Sequence, residues 1–377
     1  MDAAKFNWLL LSCLSGFGPA QYNRLLKFFG SPEAALWSSA ETLEALGIAE
    51  VAKKELLSWQ KFGASSVLGQ KSISAERAIY EAGAQLLVLE DCDYPALLAQ
   101  IHNPPPVLFV QGPVQRLNEP LVAIVGSRRA TPSGLELAET LAKSLCEQGL
   151  GISSGMALGI DAAAHKGALE AEGLTVAVMG VGIDQVYPRR NVGLQRRLLE
   201  QGGVVVTEFL PGVGPQAANF PRRNRVISGL SLGVLVVEAQ LRSGSLITAR
   251  LAMEQNREVF ALPGSVRSHA SQGCNSLIKE GATLVCNLWD ILEALPDWAD
   301  LPSRPDHCSR AQRERLPRGL SKSAESLLLL LCEGPMVSEQ LLQNTGMSPQ
   351  SLAAALAELE LRGHVSVAGG QYHKLYA

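Results

Sequence analysis

Leu121-Val122-Ala123-Ile124-Val125-Gly126-Ser127-Arg128-Arg129-Ala130-Thr131-Pro132 passes from an unbroken apolar run into a glycine, a serine and two arginines, then into a helix start. An apolar run without alternation predicts a strand buried on both faces. Ser133 to Gln148 has helix length, and Gly151 to Ser154 opens the next apolar run. The same alternation continues outward. Strand-like runs occur at Thr175–Gly180, Val204–Thr207, Gly233–Glu238 and Glu258–Ala261, and helix-like segments include Asp161–Ala171 and Leu246–Gln255. Such regularity predicts βαβ units, hence an α/β domain with a parallel sheet covered on both faces, over residues 79–298.

The flanks read differently. Residues 1–78 are helical in pattern, with Phe6–Leu14, a Ser15-Gly16-Phe17-Gly18-Pro19 turn, Ala20–Phe29 and a Ser31-Pro32-Glu33 helix start. Two helices joined by Gly-x-Gly resemble a helix-hairpin-helix or sterile-alpha-motif-like unit that sets backbone N–H groups against phosphate. A helical bundle that only packs on its neighbour fits equally well. Residues 299–320 carry proline and charge, a linker composition. Residues 321–377 read as three helices and two short strands around Gly369-Gly370, a winged-helix pattern. Its third helix, SPQSLAAALAELELRGHV, is apolar and slightly acidic, whereas DNA-reading helices carry Arg, Lys, Asn or Gln. Protein contacts or weak DNA contacts are expected of it.

Composition limits the function classes. The 377 residues carry a formal net charge of −3, which argues against nonspecific coating of DNA but permits a local basic groove. The seven cysteines include no Cys-x-x-Cys pair, and the histidines are dispersed, so neither a zinc ribbon nor another metal site is expected. No secretory signal and no membrane-length apolar run is found, so a cytoplasmic protein is expected.

Ligands of parallel sheets bind beyond the carboxyl ends of the strands. There Gly126-Ser127-Arg128 precedes a Thr131 cap and Pro132 in the first helical turn, a combination that favours an anion. The Gly-x-Gly-x-x-Gly dinucleotide fingerprint is absent, and the second strand ends in Ser153-Ser154-Gly155 rather than a ribose-binding acid. Asp161 and His165 stand four apart on one helical face, either an active pair or a capping aspartate with a stacked histidine. Tyr187 beside Arg189 suits a base and its phosphate. Phe220-Pro221-Arg222-Arg223-Asn224-Arg225 would gather three arginines around one helix start, with Phe220 just outside the helix for stacking. Ser243-Gly244-Ser245 forms a further anion nest.

These motifs resemble the DNA-processing protein A (DprA/Smf) family. The resemblance rests on Gly-Ser-Arg (126–128), Ser-Gly-x-Ala-x-Gly-Ile-Asp with Ala-His (154–165), Tyr-Pro (187–188), Phe-Pro-x-Arg-Asn-Arg (220–225), Ser-Gly-Ser-Leu-Ile-Thr-Ala (243–249) and Gly-Cys-Asn-x-Leu-Ile (273–278). It implies an extended Rossmann-like fold, single-stranded DNA as ligand, a homodimer, and loading of the RecA recombinase during transformation or recombination. It implies neither a cofactor nor a catalytic step. By motif position Arg128, Arg223 and Arg225 would hold phosphate and Phe220 a base, while Gln185 stands where relatives often carry a basic residue. The rival is a nucleotide-cleaving phosphoribohydrolase, whose Pro-Gly-Gly-x-Gly-Thr loop is missing here.

Overall fold

In a computed structural model, residues 1–295, 320–331, 336–345, 347–368 and 371–374 are described. The chain divides into two units, Met1–Arg304 and Pro305–Ala377.

The first unit is built on a nine-stranded sheet. Its strands are β1 (Gln85–Val88), β2 (Val107–Gln111), β3 (Leu121–Val125), β4 (Gly151–Ser154), β5 (Thr175–Val178), β6 (Val204–Thr207), β7 (Gly233–Val236), β8 (Glu258–Ala261) and β9 (Thr283–Leu284). The spatial order is β1-β2-β6-β5-β4-β3-β7-β8-β9. From β6 through β9 every pairing is parallel. All of β3 to β7 is buried, as the uninterrupted apolar runs require. This is the expected Rossmann-like sheet.

β1 and β2 extend it. They pair antiparallel with each other, and β2 pairs antiparallel with β6. The sequence reading did not assign either strand, because both lie outside the βαβ alternation and Pro104, Pro105 and Pro106 precede the second.

The amino-terminal helices are joined to the sheet through a shared core. Trp8, Tyr22, Leu25 and Leu56 belong to one hydrophobic cluster with Phe109, Ala177, Met179 and Val205. Two further clusters occupy the sheet's faces, one around Leu108, Ala123, Val176 and Val234, the other around Ile124, Ile152 and Phe260.

Between β3 and β7 the chain changes direction: it runs from β3 to β6 on one side, then returns to lay β7 on the other. Helices leaving neighbouring strands at such a reversal go to opposite faces and open a crevice at the carboxyl edge. The loops after β3 and β7 border it.

The second unit has helices Lys322–Leu330, Ser338–Thr345 and Pro349–Leu361 around Leu327, Leu341, Leu356 and Leu359. Strands Met336–Val337, Gln371–Lys374 and Val365–Ala368 form a three-stranded sheet in that order. Helices plus wing make a winged helix. Most of the expected linker and the Gly369-Gly370 turn lie outside the described residues.

Candidate nucleic-acid interface

Glycine makes the carboxyl edge compact enough to work. Gly159, at φ +82°, precedes the helix Ile160–Glu170, and a Cβ there would lie 2.2 Å from the Ser127 carbonyl oxygen. No side chain can occupy that place, so the loop after β4 rests directly on the loop after β3. Ile160 donates its N–H to the same Ser127 carbonyl at 3.2 Å. The β3 loop is also tied from the other side. Glu238, just past β7, accepts from the Thr131 N–H at 3.0 Å and from its hydroxyl at 2.5 Å. Thr131 in turn caps the helix Pro132–Glu147 by accepting from Gly134.

On this frame the protein assembles an aromatic and cationic stack. The Arg128 guanidinium lies 5.3 Å from the Phe220 ring centroid. On the same ring's other contact, Tyr187 lies 5.5 Å away at an interplanar angle of 37°. Residues from the loops after β3, β5 and β6 thus meet, although 59 and 33 positions separate them in sequence, by their numbering. Gly180 supplies the room: a Cβ there would come within 2.9 Å of Phe220. Tyr187 is 39% exposed and Arg128 is exposed. Arg129, Arg189, Arg190 and Arg242 are also exposed. None of these arginines has an ion-pair partner among the described residues.

The helix carrying Phe220 runs Asn219–Gly229, so Phe220 lies in its first turn rather than outside it. Its arginines divide. Arg222 remains partly exposed, 3.4 Å from Glu208 and over the Phe209 ring. Arg225 is paired with Glu208 at 2.5 Å and donates to the Asn103 carbonyl. Arg223 is buried, donating to the Gly155 and Val178 carbonyls and, through Nε, to the Asn224 amide oxygen. Burial lowers its pKa to about 10, opposed by Asp161. The phosphate role expected of Arg223 and Arg225 therefore meets side chains already engaged inside the protein. A guanidinium there fixes the ends of β4 and β5 against the helix that bears Phe220.

Gly155 lies between these groups. A Cβ on it would collide with both Arg223 and Asp161. Asp161 accepts from Ala157 N–H, and its pKa is raised by burial despite Arg223. His165 is wholly buried, its Nδ1 2.6 Å from the Thr175 hydroxyl, and burial lowers its pKa to about 3. The two do not form a pair at the surface. Asn224 donates to the Gly244 carbonyl at 3.3 Å, joining this helix to the next. Ser243 caps that next helix by accepting from Ser245 N–H, and Gly244 is exposed. Gly126 packs under Ile160, where a Cβ would come within 2.6 Å.

Glu208 escaped the sequence reading. It follows directly on β6, the kind of strand-end acid that could have been noticed, and its side chain is only 3% exposed. Arg223 also carried a signal. It falls with Val226, Ile227 and Leu230 on one i, i+3, i+4, i+7 stripe, all of it buried.

Comparison with known proteins gives the family. Residues 85–296 match the family model of the DNA recombination-mediator protein A, and residues 311–371 match that of the DprA winged helix domain. Protein Smf of Escherichia coli is 40% identical over 310 residues, covering 81% of this chain and 82% of the relative. The chain belongs to the DprA/Smf family. The DprA of Streptococcus pneumoniae is 46% identical over 205 residues, covering 54% of this chain and 72% of that protein. Its X-ray structure aligns with a TM-score of 0.64 at 34% identity, covering 78% of this chain and 99% of that one. DprA of Helicobacter pylori, described for its single-stranded DNA binding mode, aligns with a TM-score of 0.51 at 32% identity, over 57% of this chain and 98% of that one. Among the described residues no helix is long and apolar enough to cross a membrane, and no cluster of metal-ligating side chains occurs.

Proposed function

We propose that this protein binds single-stranded DNA along the carboxyl edge of its sheet, as a recombination mediator in the cytoplasm, and catalyses no reaction. The observation that carries the reading is the Arg128–Phe220–Tyr187 stack at the carboxyl edge of the sheet, with exposed arginines in the same loops. The exposed Tyr187 ring, with the half-buried Phe220 beside it, can accept the face of any unstacked base, worth roughly 1–3 kcal/mol per base. Exposed arginines around it take phosphates without reading sequence. A duplex keeps its bases stacked and offers no face to Phe220, so single strands are favoured. The strand-binding relative from Helicobacter pylori supports the same ligand.

The family resemblance supports the finer roles. The protein covers incoming or exposed strands, acts as a homodimer, and presents them so that RecA nucleates. Absence of catalysis is supported at Glu238, an acid just past β7 that is tied to the loop after β3. Its carboxylate is occupied by Thr131 N–H and hydroxyl, leaving it a loop tie rather than a free base. Release of base from nucleoside monophosphates, lost in Glu238→Gln, would overturn this part.

The test of binding is fluorescence anisotropy of a labelled oligonucleotide over a salt series, with the duplex as control. Salt-sensitive, single-strand-selective binding is expected. Equal affinity for duplex, or no binding at low salt, would remove the stack as a DNA platform.

A further inference from the structure

Two residues after Tyr187 the chain enters a short 3-10 turn, Arg189–Asn191, which leads straight into the helix Val192–Glu200. Asn191 fixes the start of this helix at the carboxyl edge. Its buried amide donates to the Met156 and Ala157 carbonyls, in the loop after β4, at 2.8 and 3.2 Å. From there the helix runs back along the sheet to β6, which pairs parallel with β5. Its solvent side carries Arg189, Arg190, Val192, Gly193, Arg196 and Arg197, all exposed, while Asn191, Gln195 and Leu198 are buried. A spacing of three and four marks one helix face. Two pairs of arginines therefore stand on that face, seven positions apart in sequence and about 10 Å apart along the axis.

The fold does not account for this row. Arg189 and Arg190 precede the first helical turn, where the helix dipole disfavours a cation, and that turn holds no acid. Arg196 meets Glu200 at 3.7 Å, a pair between two exposed groups that adds little. Arg189, Arg190 and Arg197 have no ion-pair partner among the described residues. Four cations against one acid repel one another unless an anion lies over them. Between the two pairs Val192 is 47% exposed, and a Cβ on Gly193 would meet nothing within 4 Å. Guanidinium groups on either side of a small, partly apolar step suit a sugar–phosphate chain, with phosphates on the arginines and deoxyribose against Val192.

We infer that this helix face is a second segment of the DNA track, holding the phosphates of about three nucleotides adjoining the base on the stack, at 3.4 Å each. The inference rests on the single-stranded DNA reading above. Chain continuity makes the connection: Tyr187 and Arg189 are two residues apart, so a strand with a base at Tyr187 has its adjoining phosphates within reach of the first arginine pair. The helix then leads it to Arg196 and Arg197. Because the captured groups are phosphates, the segment adds affinity by releasing counterions and reads no sequence.

The experiment compares the full-length wild type with the double variant Arg196→Ala/Arg197→Ala, using single strands of about four and about twenty nucleotides. Both side chains are exposed, so the replacement leaves the fold intact. The long strand should bind the variant about tenfold more weakly, with the slope of log affinity against log salt lower by about 1.4, since two phosphate contacts are lost. The short strand, which the stack and the first arginine pair accommodate, should bind both proteins alike. Arg196→Lys/Arg197→Lys should restore the slope, because charge and not packing is at work. Long strands carrying one neutral methylphosphonate linkage at successive positions should weaken wild-type binding at positions where the double variant shows no further loss. A wild-type slope in Arg196→Ala/Arg197→Ala would overturn the segment, as would an equal loss with the short strand. Loss confined to duplex DNA would assign the row to a duplex and overturn it as well. If Phe220→Ala weakens binding and the arginine variant keeps the wild-type slope, the segment alone fails. If the wild type binds neither strand, the proposed function fails with it.

Discussion

The carboxyl edge of the sheet and the third helix of the winged unit are both places where such folds meet nucleic acid, and they are furnished in opposite ways. At the sheet edge, Arg128, Tyr187 and Phe220 converge from separate loops, with Arg189 and Arg242 exposed nearby. The helix Pro349–Leu361 exposes Ala353, Ala354, Ala357 and Glu360, and its terminal Leu361 is 89% exposed. Its one flanking arginine, Arg362, is bound to Glu358 at 3.5 Å. Fold alone does not confer binding; the side chains at a site do. In this protein the sheet edge has the chemistry for a strand, and the winged helix has the shape without the charge.

The comparison predicts a graded set of effects. The largest is at Phe220. Its replacement by alanine removes the ring on which Arg128 and Tyr187 rest, so single-strand affinity should drop by roughly ten- to a hundredfold in an anisotropy titration. An unchanged affinity would break the contrast between the two regions.

A smaller effect separates two arginines. Arg128→Ala should weaken binding to all sequences alike and lower the salt slope by about 0.7, since one phosphate contact is lost. Arg225→Ala should leave the slope as it is, because Arg225 is already paired with Glu208. Equal loss of slope in both would show that the ion pair opens on binding.

A third effect concerns stability rather than binding. His165 has its pKa lowered to about 3 from 6.5 by burial. Between those values the unfolded chain takes up a proton that the folded protein refuses, so stability is complete above pH 6.5 and declines as pH falls toward 3. Thermal unfolding of the unit containing the sheet should show this decline, and His165→Gln should flatten it. An equal decline in the variant would assign acid sensitivity elsewhere.

Much of this was legible in the sequence, for definable reasons. Runs such as Leu121–Val125 and Val204–Thr207 are apolar throughout because both faces of a parallel strand are buried, and that pattern is local. The Thr131-Pro132 and Ser243 helix starts were legible for the same reason: a cap is chosen by residues within one turn. What was not legible depends on distant partners. β1 and β2 lie outside the βαβ alternation and gain their place through antiparallel pairing, β2 with β6 and β1 with β2. Three arginines crowd one helix start, yet packing turns Arg223 inward onto two strand-end carbonyls and Glu208 retains Arg225. A list of basic residues therefore overstates the free charge at this helix. The aromatic stack was foreshadowed only as separate pieces, because no local pattern connects Arg128 to Tyr187 and Phe220.

The most direct measurement is photocrosslinking of full-length protein to single strands carrying 5-iododeoxyuridine, with the attached residues identified by mass spectrometry. The account predicts attachment at Phe220 or Tyr187, lost from that ring in Phe220→Ala. Attachment confined to the helix Pro349–Leu361 would contradict it, placing the strand on the winged unit instead of the sheet.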